Sequence, residues 1–445
     1  SIPNVSYPIR PISLWDYTIS RWLVIILTCQ VFTLTLGKTV SADAPQQPVT
    51  IPTFGQPILS LKIPNMDSIV ESFAAPDIII DGTTFDVMLS ANGNYVVGSY
   101  ASPDATSAGD CNRNGRAKLE VWTLPAYDQI IGSLATLLPT ISRDIDCGGA
   151  IAPSPNEQFV AVSLQDGVAI YTLPQLNFVA VIAAAPSLDR MVQTTLVWSP
   201  DSRFVASIRQ HQLLAWDAQT QRTYTYEFAF DQTGWRNGYG PNLKATTGGW
   251  LLDLFSQPKI TFLACDWQLS NCLNYGDDSS NYIVNNSDPS LLLSATDFNK
   301  LPISTHIWRL QNDGTYVRDE IALDIPPDFI PVSLSPSGEY IFFRSDTLSQ
   351  IWRTSDWTIV QTLSPYDHPV WFPDEDYFLT YTNFTTVDLY QTGQTTPYTS
   401  QDFLEEITSA QRNRIDLTVA SWTINAHGTY ALFRGGWTNL VIPFQ

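Results

Sequence analysis

Short apolar runs recur along the chain, each separated from the next by a polar break. Residues 194–228, "TTLVWSPDSRFVASIRQHQLLAWDAQTQRTYTYEF", show the unit in full. Leu196 to Trp198 meet a Ser199-Pro200-Asp201 turn and Phe204 to Ile208 follow. After a second break come Leu213 to Asp217, then an alternating Tyr/Thr stretch. Runs of this length bounded by turn residues predict strands, and four in succession predict one small antiparallel sheet.

The turn returns as "SANGNYVVGSY" (90–100), "SPNEQFVAVSL" (154–164), "NSDPSLLLSAT" (286–296), "SPSGEYIFFRS" (335–345), "FPDEDYFLTYT" (372–382) and "NAHGTYALFRG" (425–435). A third run follows with an aromatic near its end, placing Trp122, Tyr171, Trp216, Trp308, Trp352 and Tyr390 at one position per unit. The constant order makes this an internal repeat of roughly 40 to 50 residues. One such sheet cannot bury both faces, whereas a ring stacks each sheet between two neighbours. The expected fold is therefore an all-β β-propeller of four-stranded blades. The recurrent aromatics are expected to pack between blades rather than to bind a sugar.

Seven blades are expected, with eight as the alternative, because residues 229–283 break the pattern. A turn read at Ser256-Gln257-Pro258 stands only 31 residues before the one at Ser287, too close for four strands and their connections, so this stretch is expected to be an insertion. The last unit ends at "TNLVIPFQ" with no fourth strand behind it, while "PILSLKI" (57–63) has no unit of its own. That N-terminal strand is expected to complete the last blade and close the ring.

The "SPDSRF" and "SPSGEY" turns, with the Trp216-Asp217 pair, resemble those of WD40-like propellers and of the Pro-Asp repeats of TolB-type propellers. The resemblance covers about residue 57 onward and implies a propeller that presents its loops to partners; its repeats are degenerate, since only Trp216-Asp217 keeps the Trp-Asp pair and the opening Gly-His is missing.

Upstream, Arg10 and Arg21 precede the apolar run "WLVIILTCQVFTLTLG" (22–37), and "SADA" (41–44) follows. A basic flank, an apolar run and a small-residue site are the parts of a secretory signal, and a retained membrane anchor is the alternative. Residues 1–44 are thus expected to target the chain, 45–56 to form a Pro-rich linker and 57–445 a single propeller outside the cytoplasm. A net charge of −20 excludes nucleic acid as a partner, for want of basic side chains to displace phosphate counterions. In an exported chain the even set Cys111, Cys147, Cys265 and Cys272 is expected to pair, Cys265 with Cys272 across a hairpin tip and Cys111 with Cys147 between loops of one face.

The four histidines fall in different units without metal-ligand spacing, and no Gly-x-Ser-x-Gly elbow or phosphate-cradling loop occurs, so no catalytic residue is assigned. Two loops carry candidate sites. "GWRNGYGPN" (234–242) holds Trp235, Arg236 and Tyr239 where no blade requires them, a composition favoured at contact surfaces. "DCNRNG" (110–115) offers Asp110, Asn112 and Asn114 ahead of Gly115, resembling the start of a calcium loop. The Cys111–Cys147 bridge would bring Asp144 and Asp146 to the same place as further oxygen ligands for Ca2+, and a plain Asn-Gly turn is the alternative. The expected function is a binding or assembly module for a protein or glycan partner. An extracytoplasmic hydrolase or lyase, with carboxylates at the central channel, is the alternative.

Overall fold

The computed structural model describes residues 59–60, 86–101, 116–124, 141–146, 150–164, 167–183, 195–209, 212–228, 242–246, 248–256, 259–275, 280–285, 291–296, 305–311, 315–319, 325–326, 328–364, 369–382, 386–402, 421–435 and 438–444. A first short strand, β1 (Leu59–Ser60), precedes the blades. Blade 1 consists of β2 (Asp86–Leu89), β3 (Tyr95–Ala101), β4 (Arg116–Thr123) and β5 (Ile141–Asp146). Blade 2 consists of β6 (Ile151–Pro153), β7 (Phe159–Leu164), β8 (Gly167–Thr172) and β9 (Phe178–Ala183). The opening sequence forms blade 3, with β10 (Leu196–Trp198), β11 (Phe204–Arg209), β12 (Gln212–Asp217) and β13 (Arg222–Glu227). Blade 4 has β14 (Asn242–Ala245), β15 (Trp250–Ser256), β16 (Lys259–Cys265) and β17 (Cys272–Tyr275). Blade 5 has β18 (Ser280–Asn285), β19 (Leu291–Thr296), β20 (Thr305–Leu310) and β21 (Tyr316–Asp319). Blade 6 has β22 (Ile330–Leu334), β23 (Tyr340–Arg344), β24 (Ser349–Arg353) and β25 (Thr358–Leu363). Blade 7 has β26 (Val370–Trp371), β27 (Tyr377–Thr382), β28 (Thr386–Gln391) and β29 (Thr399–Asp402). Blade 8 joins β30 (Ser421–Ile424), β31 (Tyr430–Gly435) and β32 (Thr438–Pro443) to β1.

There are eight blades, not seven. The stretch expected to be an insertion supplies a complete sheet, ordered β14-β15-β16-β17. Its inner turn is Thr246 to Gly249, where the Thr246 N–H donates to the Gly249 carbonyl and the Gly248 N–H to Thr246 Oγ1. Ser256-Gln257-Pro258, read as that turn, instead lies where β15 passes into β16, one strand further out. In the last sheet β1 pairs antiparallel with β32, Leu59 opposite Val441 and Ser60 opposite Leu440.

Burial explains why the strands differ in composition. The second strand of a blade has neighbours on both faces, and β11 is buried at all six positions. The fourth strand has solvent beyond it, and β13 (Arg222–Glu227) alternates polar, largely exposed residues. Apolar clusters fill the successive interfaces from blades 1 and 2 through to blades 7 and 8. The third-strand aromatics lie in this core as expected, with Trp122 and Trp216 at 1% and 2% exposure. Cys265 and Cys272 form the expected disulfide, facing each other across β16 and β17. Among the described residues no helix is long and apolar enough to cross a membrane, and the apolar run 22–37 lies outside them.

Candidate functional site

Each blade is an up-and-down sheet, so first-to-second and third-to-fourth connections leave one face of the ring, and the remaining connections leave the other. The first-to-second turns are short throughout. In five of them a side chain at the first position accepts from the backbone N–H five residues on: Ser90 from Tyr95, Ser154 from Phe159, Ser199 from Phe204, Ser335 from Tyr340, and Asn425 from Tyr430, at 2.8–3.0 Å. This is the reason for the Ser or Asn that opens the repeat: a short polar side chain satisfies a backbone donor that the turn leaves over.

The fourth position of the turn has a positive φ, and it is where neighbouring blades meet. Glu157 (φ 59°), Ser202 (φ 61°) and Glu375 (φ 63°) adopt this backbone although it costs a non-glycine residue about 1–2 kcal/mol. Each side chain reaches the turn of the preceding blade. Glu157 accepts from the Asn92 N–H at 2.8 Å and from Asn94 Nδ2 at 2.6 Å. Ser202 Oγ accepts from the Asn156 N–H at 2.8 Å. Glu375 accepts from Ser335 Oγ at 2.9 Å, from Ser337 Oγ at 2.8 Å and from the Ser337 N–H. At two turns where the position is glycine, the preceding blade moves in instead. A Cβ on Gly93 would stand 2.8 Å from Asn425 and Tyr430 of blade 8, and one on Gly428 would stand 3.2 Å from Phe372 of blade 7. Between blades 8 and 1 the Ala426 N–H donates to the Ala91 carbonyl at 3.0 Å, and His427 Nε2 stands 2.9 Å from Asn92 Oδ1.

Charge is handled locally on this turn face. Burial pushes the Glu375 carboxyl above its ordinary range, and the hydrogen bonds from Ser337 and Ser335 oppose that only in part. Asp217 shows the reverse balance: burial raises it, but Arg203 and the backbone N–H groups of Gln219 and Thr220 outweigh burial and hold it below the usual carboxylate range. Arg203 meets it with two nitrogens, at 2.9 and 3.3 Å. Asp217, the acid of the Trp-Asp pair in blade 3, therefore ties two turns of its own sheet together.

The opposite face carries the long connections. Residues 61–85, 102–115, 184–195, 228–241, 320–329 and 403–420 leave it, against 124–140 alone of comparable length on the turn face. Trp235, Arg236 and Tyr239 belong to the connection between β13 and β14, and Asp110, Cys111, Asn112 and Asn114 to that between β3 and β4; all of these, with Cys147, lie outside the described residues. Asp144 and Asp146 are placed only by their backbone, in β5 opposite Lys118 and Arg116. Among the described residues no group of three or more His, Cys, Asp or Glu is placed to hold a metal ion. On the inner strands Asp86 accepts from the Ile151 N–H at 2.8 Å and thereby joins blades 1 and 2. The turn-position residues Glu157, Ser202 and Glu375 were not singled out from sequence. Their letters stand inside the repeat, but a reach from one repeat to the one before leaves no periodic trace.

No protein-family model and no curated protein matches the sequence. Among solved structures, the β-propeller domain of Cps50 (Swd1) from Myceliophteria thermophila is 13% identical with a TM-score of 0.42, covering 66% of this chain and 96% of that one. Hydrazine synthase of Kuenenia stuttgartiensis is 12% identical with a TM-score of 0.43, covering 72% of this chain and 98% of that one. The protein is a β-propeller. That statement stands on its own eight four-stranded sheets.

Proposed function

We propose that the protein is an exported propeller that binds a protein or glycan partner through the face bearing its long connections. The observation that carries this reading is the asymmetry of the two faces. One is drawn tight by first-to-second turns of four or five residues, several of them stapled to the turn of the neighbouring blade. The other bears the connections of ten or more residues between β3 and β4 and at five of the blade-to-blade junctions. Recognition residues concentrate on loops held by a rigid scaffold. Trp235, Arg236 and Tyr239 fall in one of these loops and have the chemistry of contact anchors. Export is supported by the Cys265–Cys272 disulfide, because such bonds persist in oxidising compartments. The Ca2+ reading of Asp110, Asn112, Asn114, Asp144 and Asp146 belongs to the same face, and calorimetry with calcium and chelator tests it separately.

The test compares two variants of the intact protein as bait in medium or membrane extract from its native source. One carries Trp235→Ala, Arg236→Ala and Tyr239→Ala; the other carries Gln158→Ala and Asp376→Ala on the turn face. The partner captured by the unmodified protein should be lost from the first and kept by the second, with both melting as the parent does. Loss from the second alone would overturn the reading.

A further inference from the structure

We propose that the interface between blades 6 and 7 encloses ordered water. Five buried polar atoms there have no hydrogen-bond partner within the protein: Ser333 Oγ, Ser349 Oγ, Gln361 Nε2, Trp371 Nε1 and Thr380 Oγ1. Their residues are between 0% and 8% exposed. Strand pairing directs all five into one interface. Phe342, Ile351, Leu363, Trp371 and Phe378 form the apolar cluster between these two blades. Ser333 stands opposite Phe342, Gln361 opposite Ile351, and Ser349 opposite Leu363, and residues directly opposite in a sheet share a face. Thr380 follows Phe378 by two along β27, which returns it to the same face.

Comparison with blades 2 and 3 of the same chain shows what is unusual. Counting from the turn, Ser333, Ser349 and Gln361 occupy the positions that Ala152, Val168 and Ala180 hold in blade 2, each with the equivalent cross-strand partner. Three positions that are apolar in blade 2 are polar in blade 6. Trp198 and Trp371 are likewise equivalent: each stacks on the first aromatic of the preceding blade's second strand, on Phe159 with centroids 6.0 Å apart and on Tyr340 at 5.9 Å. Trp198 Nε1 donates to the Ala152 carbonyl at 2.7 Å. In blade 6 the inner strand carries a bulge between Pro331 and Ser333, and no such bond forms.

Buried polar groups without protein partners are held by internal water as a rule, since leaving them unpaired costs more than a hydrogen bond returns. Water suits this set. Water oxygens can accept from donor-only Trp371 Nε1 and from Gln361 Nε2, and the three hydroxyls both give to water and accept from it, with more than one water needed to reach all five atoms. The two blades are then joined by polar contacts from end to end: Glu375 to Ser335 and Ser337 at the turn face, water within, and Gln361 Oε1 accepting the Gly393 N–H at 3.0 Å on the outer side.

A crystal structure of the whole protein at a resolution that shows solvent decides the matter. Water within hydrogen-bond distance of at least three of the five atoms is the expected result; fewer than three overturns the proposal. If crystals are not obtained, Thr380→Val is read by melting temperature. Removing a hydroxyl that holds water lowers it by a few degrees, whereas removing an unpaired hydroxyl leaves it unchanged or raises it, and that outcome rejects the enclosed water.

Discussion

The indole N–H of Trp198 donates to the carbonyl of Ala152 across the boundary between blades 3 and 2, at 2.7 Å in a fully buried setting. The bond fixes the inner strands against each other while the ring stacks on Phe159. Trp198→Phe keeps an aromatic in place and removes the indole donor, while the Ala152 carbonyl stays opposite Ala161 in its own sheet. The expected cost is about 0.5–1.5 kcal/mol, read as a lower midpoint of thermal or denaturant unfolding. A midpoint equal to that of the parent would show that the bond contributes nothing.

Gly93 and Gly248 make a matched pair. At Gly93, φ is +76° and an added Cβ meets blade 8, while at Gly248 no heavy atom lies within 4 Å. Gly93→Ala should lower stability by more than about 1 kcal/mol, combining backbone strain with displacement of Asn425 or Tyr430. Gly248→Ala should change it little. Equal melting temperatures for the two variants would argue that blades 8 and 1 do not meet closely at this turn.

Glu375 gives a pH signature. Its folded-state carboxyl binds its proton more tightly than the unfolded one, because burial disfavours the charge. Between the ordinary glutamate range and the raised value the folded state therefore holds more protons, and stability falls as pH rises through that window. Glu375→Gln removes the titration while keeping an acceptor for Ser335 and Ser337. The melting temperature of the parent relative to this variant should be highest in acid and decline towards neutrality. A constant difference from pH 4 to 7 would count against the buried charge.

The pairing of Leu59 with Val441 predicts the effect of truncation. Without residues 57–64 the outer side of β32 has no partner, and an unpaired edge invites association between molecules. The shortened protein should melt lower and aggregate at concentrations where the full chain stays monodisperse, as light scattering would report. Unaltered melting would remove ring closure from the role of β1.

The repeat was legible where turn and third strand kept their marker residues. Blade 4 was not, for two local reasons. Its turn uses Thr246 and a Gly-Gly pair in place of Ser-Pro-Asp, and its third strand has Cys265 where blade 3 has Trp216. With both markers gone, the Ser256-Gln257-Pro258 punctuation one strand further out took the place of the turn, and the blade count fell by one. The buried aromatics and the Cys265–Cys272 bridge followed from local pattern, since each depends on residues near in sequence. The staples by Glu157, Ser202 and Glu375 did not, because a side chain's reach across a blade boundary is set by how two sheets stack.

Those staples also bear on how the chain is made. Glu157 finds its partner 65 residues back, Ser202 46, and Glu375 38 to 40, so each blade leaving the ribosome meets a docking turn that has already been synthesised. The contact of His427 with Asn92 spans 335 residues. Until translation is nearly finished, the flank of blade 1 around Gly93 has nothing to pack against, and a nascent array of finished blades waits on its last one.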